Sequence, residues 1–182
     1  MKNIFLTTFI LISACVSAQV AIGKASVSST AVSLEFGNEN RGIILPWVDG
    51  VSNTAPFITN SPITEIVVNG TLVYDTSDKK VKVKYASGWR DLSVDTTGTV
   101  TTTLQDTLSD LDTAKVLIGG DPATDTTPGI LVLADTNKAM VLPKVASPHV
   151  NIVNPSPGMM VYDTTKKQLA VFNGTVWSFW KP

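Results

Sequence analysis

One stretch of this chain occurs twice without a gap. Gly70-Thr71-Leu72-Val73-Tyr74-Asp75-Thr76 opens the first copy, and Gly158-Met159-Met160-Val161-Tyr162-Asp163-Thr164 opens the second, 88 positions later. Lys79 and Lys167 fall at the same place in each, and Trp89 and Trp177 close them. Whatever shape the first copy takes, the second is expected to take as well.

Each copy reads as a β-hairpin followed by a strand. Val81, Val83 and Tyr85 alternate with Lys80, Lys82 and Lys84, the period-2 pattern of a strand with one face buried and one in water. Leu72-Val73-Tyr74 is its partner across the turn-prone Asp75-Thr76-Ser77-Asp78. In the second copy Leu169 and Val171 hold the inward positions. Asn173-Gly174 there supplies the positive-φ pair of a tight hairpin turn, whereas Ala86-Ser87-Gly88 predicts a looser one. The Trp is expected to lie across the hairpin in both.

The repeat extends beyond the hairpin. Val20-Ala21-Ile22-Gly23 is echoed by Val116-Leu117-Ile118-Gly119. Leu34 to Val48 matches Leu131 to Val145, sharing Leu34/Leu131, Asn40/Asn137, Leu45/Leu142, Pro46/Pro143 and Val48/Val145. A variable loop follows, 49–69 in one copy and 146–157 in the other. The expected fold class is all-β: two tandem small β-hairpin-based repeat modules, 19–93 and 116–182, joined by a Thr/Asp-rich linker at 94–115. Within that linker Val100, Leu104, Thr107, Leu111 and Ala114 follow the 4-3 rhythm of a coiled coil. Only two heptads fit and Thr is a poor helix former, so a flexible polar linker competes with a short stalk.

The order V-x-I-G, then L-x-x-x-x-x-N-x-G-x-x-L-P, then G-x-x-V-Y-D-T and N-G-T-x-W resembles repeat modules of exported bacterial fibre and adhesin-like proteins. It is also similar to phage tail-fibre modules. The resemblance covers nearly all of the chain after its leader. It implies β-rich units that assemble as trimers, and it brings no chemistry with it. The first copy departs from the pattern at the Asn-Gly turn. The second has Lys138-Ala139 where the first has Arg41-Gly42.

Residues 1–18 read as a signal peptide. Lys2 is the charged start, Ile4 to Ile12 is mostly apolar, and Val16-Ser17-Ala18 before Gln19 fits a small-residue cleavage site. Cys15 sits in Ile12-Ser13-Ala14-Cys15, which resembles a bacterial lipobox. Lipidation at Cys15 is therefore the alternative to cleavage after Ala18. Later in the chain no run reaches the length of a membrane span. The expected address is secreted or on the outer cell surface. Cys15 is the chain's one cysteine, so cleavage after Ala18 would leave no disulfide to staple the fold.

Nothing in the pattern points to catalysis, a metal or a cofactor. His149 is the one His, and it has no nucleophile or ligand partner at useful spacing. Net charge is −1, which gives no field favouring nucleic acid. The aromatics Tyr74, Trp89, Tyr162, Trp177 and Trp180 remain as candidate interface or core residues. The favoured reading is a non-enzymatic structural module of a fibre or adhesive assembly. It would bind copies of itself as a homotrimer, with surface glycans or other fibre components as further partners. Small units with short strands and an open edge bury too little area alone, and association is the available remedy. The rival is a monomeric carbohydrate-binding protein that stacks sugars on these rings.

Overall fold

The computed structural model of the protein describes residues 19–51, 67–108, 111 and 114–181. The expected leader, including Cys15, and most of the first variable loop lie outside the described residues. The fold is all-β, as the sequence predicts. The first half carries β1 (Val20–Ile22), β2 (Val32–Phe36), β3 (Ile43–Ile44), β4 (Trp47–Val48), β5 (Leu72–Asp75), β6 (Lys80–Tyr85) and β7 (Gly88–Asp91). The second carries β8 (Val116–Ile118), β9 (Leu131–Leu133), β10 (Ala139–Val141), β11 (Lys144–Val145), β12 (Met159–Asp163), β13 (Gln168–Phe172) and β14 (Trp177–Trp180). One helical turn, α1 (Pro148–Asn151), sits between β11 and β12. No strand pattern announced it, although Pro148 at its first turn has the φ a helix start needs.

The strands pair in matching registers in the two halves. β1 lies parallel to β2 with Val20 opposite Leu34, and β8 lies parallel to β9 with Val116 opposite Leu131. β4 runs parallel to β5 and β11 to β12, setting Trp47 beside Tyr74 and Lys144 beside Tyr162. The hairpins place Tyr74 opposite Val81 and Tyr162 opposite Leu169. In the outer ladders, Lys84 faces Trp89 and Phe172 faces Trp177. Even the unusual backbone matches: Lys79 and Lys167 are left-handed at φ 59° and 55° at the same turn position.

A buried carboxylate accounts for the Asp of each Val-Tyr-Asp-Thr motif. Asp75 accepts hydrogen bonds from the Gly50, Val51 and Ser77 amides, the Ser77 hydroxyl and the Lys82 ammonium. Asp163 accepts from the Ser147, Thr165 and Lys166 amides. Each therefore ties the loop before the hairpin to the turn within it. The acid caps backbone donors that no strand ladder satisfies.

Four sequence expectations are revised. The second hairpin does not use Asn173-Gly174 as a two-residue turn, since Phe172 pairs with Trp177 across four loop residues. Asn173 is fully buried, and its side-chain oxygen accepts from the Thr175 and Val176 amides instead. The first copy has the tighter turn, two residues between Tyr85 and Gly88. The lysine face of β6 is not wholly in water either: Lys82 is buried between Asp75 and Asp78, and Lys80 pairs with Asp91 at 2.6 Å. Conversely Tyr85, expected to point inward, is 48% exposed.

The stretch set apart as a linker is divided in its behaviour. Its first residues lie against the second half: the Val94 amide donates to Ser178, Asn173 donates to Asp95, and the Thr99 hydroxyl donates to Gly174. Val100 packs on the core that the halves share. Beyond it, Leu104, Leu108 and Leu111 are exposed. No helix occurs among the described residues of 94–115.

Buried apolar residues gather in two clusters. Val145, Ile152, Met159, Val161, Ala170 and Phe172 form one, entirely from the second half. The other joins Leu45, Tyr74 and Val81 to Met160 and Val171. The first half thus completes its core with side chains of the second.

The departure at Gly42 has a packing cause. A Cβ there would lie 2.5 Å from the Met159 side chain and 2.7 Å from that of Val161. Ala139, its counterpart, is exposed. Gly42→Ala is expected to cost about 1–3 kcal/mol by overpacking, and Ala139→Gly well under that. Paired thermal melts of the two variants check this.

Candidate assembly surface

The halves meet through a contact built from backbone edges and aromatic anchors. β3 adds antiparallel to β12, setting Ile44 opposite Met159 and Ile43 opposite Met160. β10 adds parallel to β2, with Met140 opposite Leu34 and Val141 opposite Glu35. The chain therefore exchanges one short strand in each direction. The Leu45 amide extends the first pairing by donating to the Gly158 carbonyl at 3.1 Å.

Three indole or phenol groups pin this contact. The Trp47 ring N–H donates to the Pro157 carbonyl at 2.9 Å. Tyr74 is fully buried, and its hydroxyl donates to the Asn173 carbonyl at 2.9 Å. Burial pushes its phenol up to about 12, with Asp78 and Asp75 adding to the shift. The Trp180 ring N–H donates to the Leu92 carbonyl, and Arg90 lies 5.9 Å from the centre of its ring. Each ring buries a large apolar body and finds a partner for its polar end, as aromatic anchors at interfaces do.

The remaining candidate aromatics are placed differently. Trp177 is half-buried beside Phe172, ring centres 5.2 Å apart, at the edge of the second-half cluster. Trp89 is half-buried on β7 opposite Lys84. Tyr162 is also half-buried and lines a shallow hollow of about 490 Å³ with Lys167, Gln168, Leu169, Trp180 and Lys181. The five candidates do not converge on one patch. His149 lies edge-on to Phe179 at 5.8 Å.

Charged groups support the scaffold. Glu35, buried on β2, pairs with Lys24 at 2.8 Å and accepts the Ser28 amide. The Lys24 ammonium above all holds its carboxyl down to about 2. Among the described residues no group of three or more His, Cys, Asp or Glu side chains is gathered as a metal ion requires. No described helix is long and apolar enough to cross a membrane.

Sequence reasoning named Tyr74 and Trp180 but missed their partners. Pro157, Asn173 and Leu92 contribute backbone carbonyls, which leave no residue-type signal. Ser93 and Ser178 were also missed. Both are buried, and their hydroxyls accept the Val81 and Val94 amides.

Residues 121–181 match a family model described as a phage tail-like trimerisation region. The match supports a tail-fibre-like module over that part of the chain. No curated protein and no solved structure matches the chain.

Proposed function

We propose that this protein is a structural, self-associating module of an exported fibre or adhesive assembly, and that it works as a homotrimer without catalysing a reaction. The observation carrying the reading is the match of 121–181 to a trimerisation region. The exchange of β3 and β10 between the halves supports it, because each of these two short strands has its partner in the other half. The halves would be tandem copies of one module, with Tyr74, Trp89, Tyr162, Trp177 and Trp180 serving as core or contact anchors. Export would release Gln19 as the new N-terminus, with lipidation of Cys15 as the alternative; the intact mass of the exported protein separates the two.

A protein stabilised by association melts at a temperature that rises with its concentration. We expect a clear upward shift across a hundredfold concentration range. A melt independent of concentration would return the monomeric, carbohydrate-binding reading. That reading has one feature in its favour, the hollow between Tyr162 and Trp180. Binding on a glycan array that is lost in Trp180→Ala would establish it.

A further inference from the structure

The contact between the halves is not a two-fold exchange, and that has a geometric consequence. In a two-fold exchange β10 would lie on β5 as β3 lies on β12. It lies on β2 instead. The first half therefore presents one face, made of the β2 edge, Leu45, Trp47 and Tyr74. The second half presents a different one, made of β10, Pro157, Gly158 and the Asn173 turn. A contact between two unlike faces leaves the counterpart of each face unoccupied.

Both counterparts keep an unpaired edge among the described residues: β9 pairs only with β8, and β3, which pairs with β12 along one edge, has no strand on its other. On the second half, the counterpart of the buried β2 edge is β9, where Ile130 is 61% and Leu131 46% exposed and no strand pairs its outer edge among the described residues. Val116 beside it is 56% exposed. Tyr162, the counterpart of the buried Tyr74, is only half-buried, and so is Leu142, the counterpart of Leu45, although Leu142 already packs on the shared core. On the first half, Gly70 is exposed, with open space where a Cβ would point. Its counterpart Gly158 is buried, and a Cβ there would lie 2.7 Å from Tyr74. Tyr85 is exposed where its counterpart Asn173 is buried, and Ile44 on β3 is 51% exposed.

We infer that the β9 face of one chain docks on the β3–β5 face of a second copy, repeating between chains the contact that joins the two halves within one. The occupant follows from the internal contact, which mates the corresponding strand edges, although the Trp47 anchor has Lys144 as its counterpart and does not carry over. Transferring its registers places Ile43 opposite Leu131 and Ile44 opposite Val132 across the chains. The same transfer places Met140 opposite Leu72. Tyr162 would cover Gly70, as Tyr74 covers Gly158. Head-to-tail contacts of this kind close into a ring when the rotation permits. The inference rests on the self-association proposed above and adds which edges meet.

The test uses two exported chains in a Cys15→Ser background, one carrying Ile44→Cys and the other Val132→Cys. Their solution masses are measured before oxidation. Neighbouring strands stand about 4.8 Å apart, within the Cα separation of about 4.4–6.8 Å that a disulfide spans. Mixing and oxidising them should give a covalent two-chain species, with little from either chain alone. Assembled chains that fail to cross-link when mixed would overturn the proposed edge while leaving self-association intact. Cross-linking of Ile44→Cys with itself would show a two-fold contact and also overturn it. Monomeric mass in the unsubstituted protein would overturn both readings. As a second measurement, Leu131→Asp should lower the mass to one chain and keep a cooperative melt, because Leu131 is nearly half exposed in the protomer. An unchanged mass would count against the docking.

Discussion

Tyr74→Ala is expected to cost about 3–5 kcal/mol, the range for deleting a large aromatic side chain from a core. The ring is fully buried and belongs to the cluster that joins the halves. Removing it opens a cavity beneath Gly158 and leaves the Asn173 carbonyl without its phenol donor. Domains are stable by only about 5–15 kcal/mol, so the loss would take a large fraction of the whole. Tyr74→Phe isolates the hydrogen bond and should cost about 1–3 kcal/mol. Tyr162→Ala should cost the protomer less, because that ring is half-buried. Urea denaturation of the three variants at one fixed concentration gives the ranking.

Asp75→Ala is the second large effect, expected at about 3–5 kcal/mol because it strips one partner from a buried ion pair. Asp75 is 1% exposed and holds the Gly50, Val51 and Ser77 amides besides Lys82. Lys82 would keep Asp78 but lose a partner at 3.0 Å. Burial pushes the Asp75 carboxyl up, but the Ser77 and Lys82 hydrogen bonds outweigh it and hold the group below its ordinary value of 3.8. Asp163 behaves alike: burial raises it and the amides of Ser147, Lys166 and Thr165 bring it lower. A depressed carboxyl contributes stability that is present above its unfolded value and lost as pH falls through its folded one. The fold should therefore weaken below about pH 4, starting from the ordinary aspartate value near 3.9. Lys82 has the opposite sign. Burial lowers it, Asp78 and Asp75 raise it further, and its contribution is lost only above its ordinary value of 10.5. Melting temperatures between pH 2 and pH 7 should fall less in Asp75→Ala than in the unsubstituted protein.

The local plan of the fold was legible because the chain states it twice. Period-2 alternation located β6, the turn-prone Asp75-Thr76-Ser77-Asp78 located its partner β5, and the repeat carried both to β12 and β13. What stayed hidden depends on neighbours distant in the chain. Tyr74 and Tyr162 have the same local motif, yet one is buried and the other half-exposed, because an unlike-faced contact covers only the first. Lys82 reads as a solvent lysine until Asp75, seven residues earlier, turns inward beside it. Asn173-Gly174 signals a tight turn, but Asn173 is drawn inward by Asp95 and by the amides of its own loop. The helical turn at Pro148 was too short to leave a periodic pattern.

Self-association is the claim on which the functional reading stands, and sedimentation equilibrium on the exported chain tests it most directly. The account predicts a mass three times that of one chain at micromolar concentration, falling toward a single chain on dilution or in Leu131→Asp. A single-chain mass at every concentration, with a cooperative melt, would contradict it.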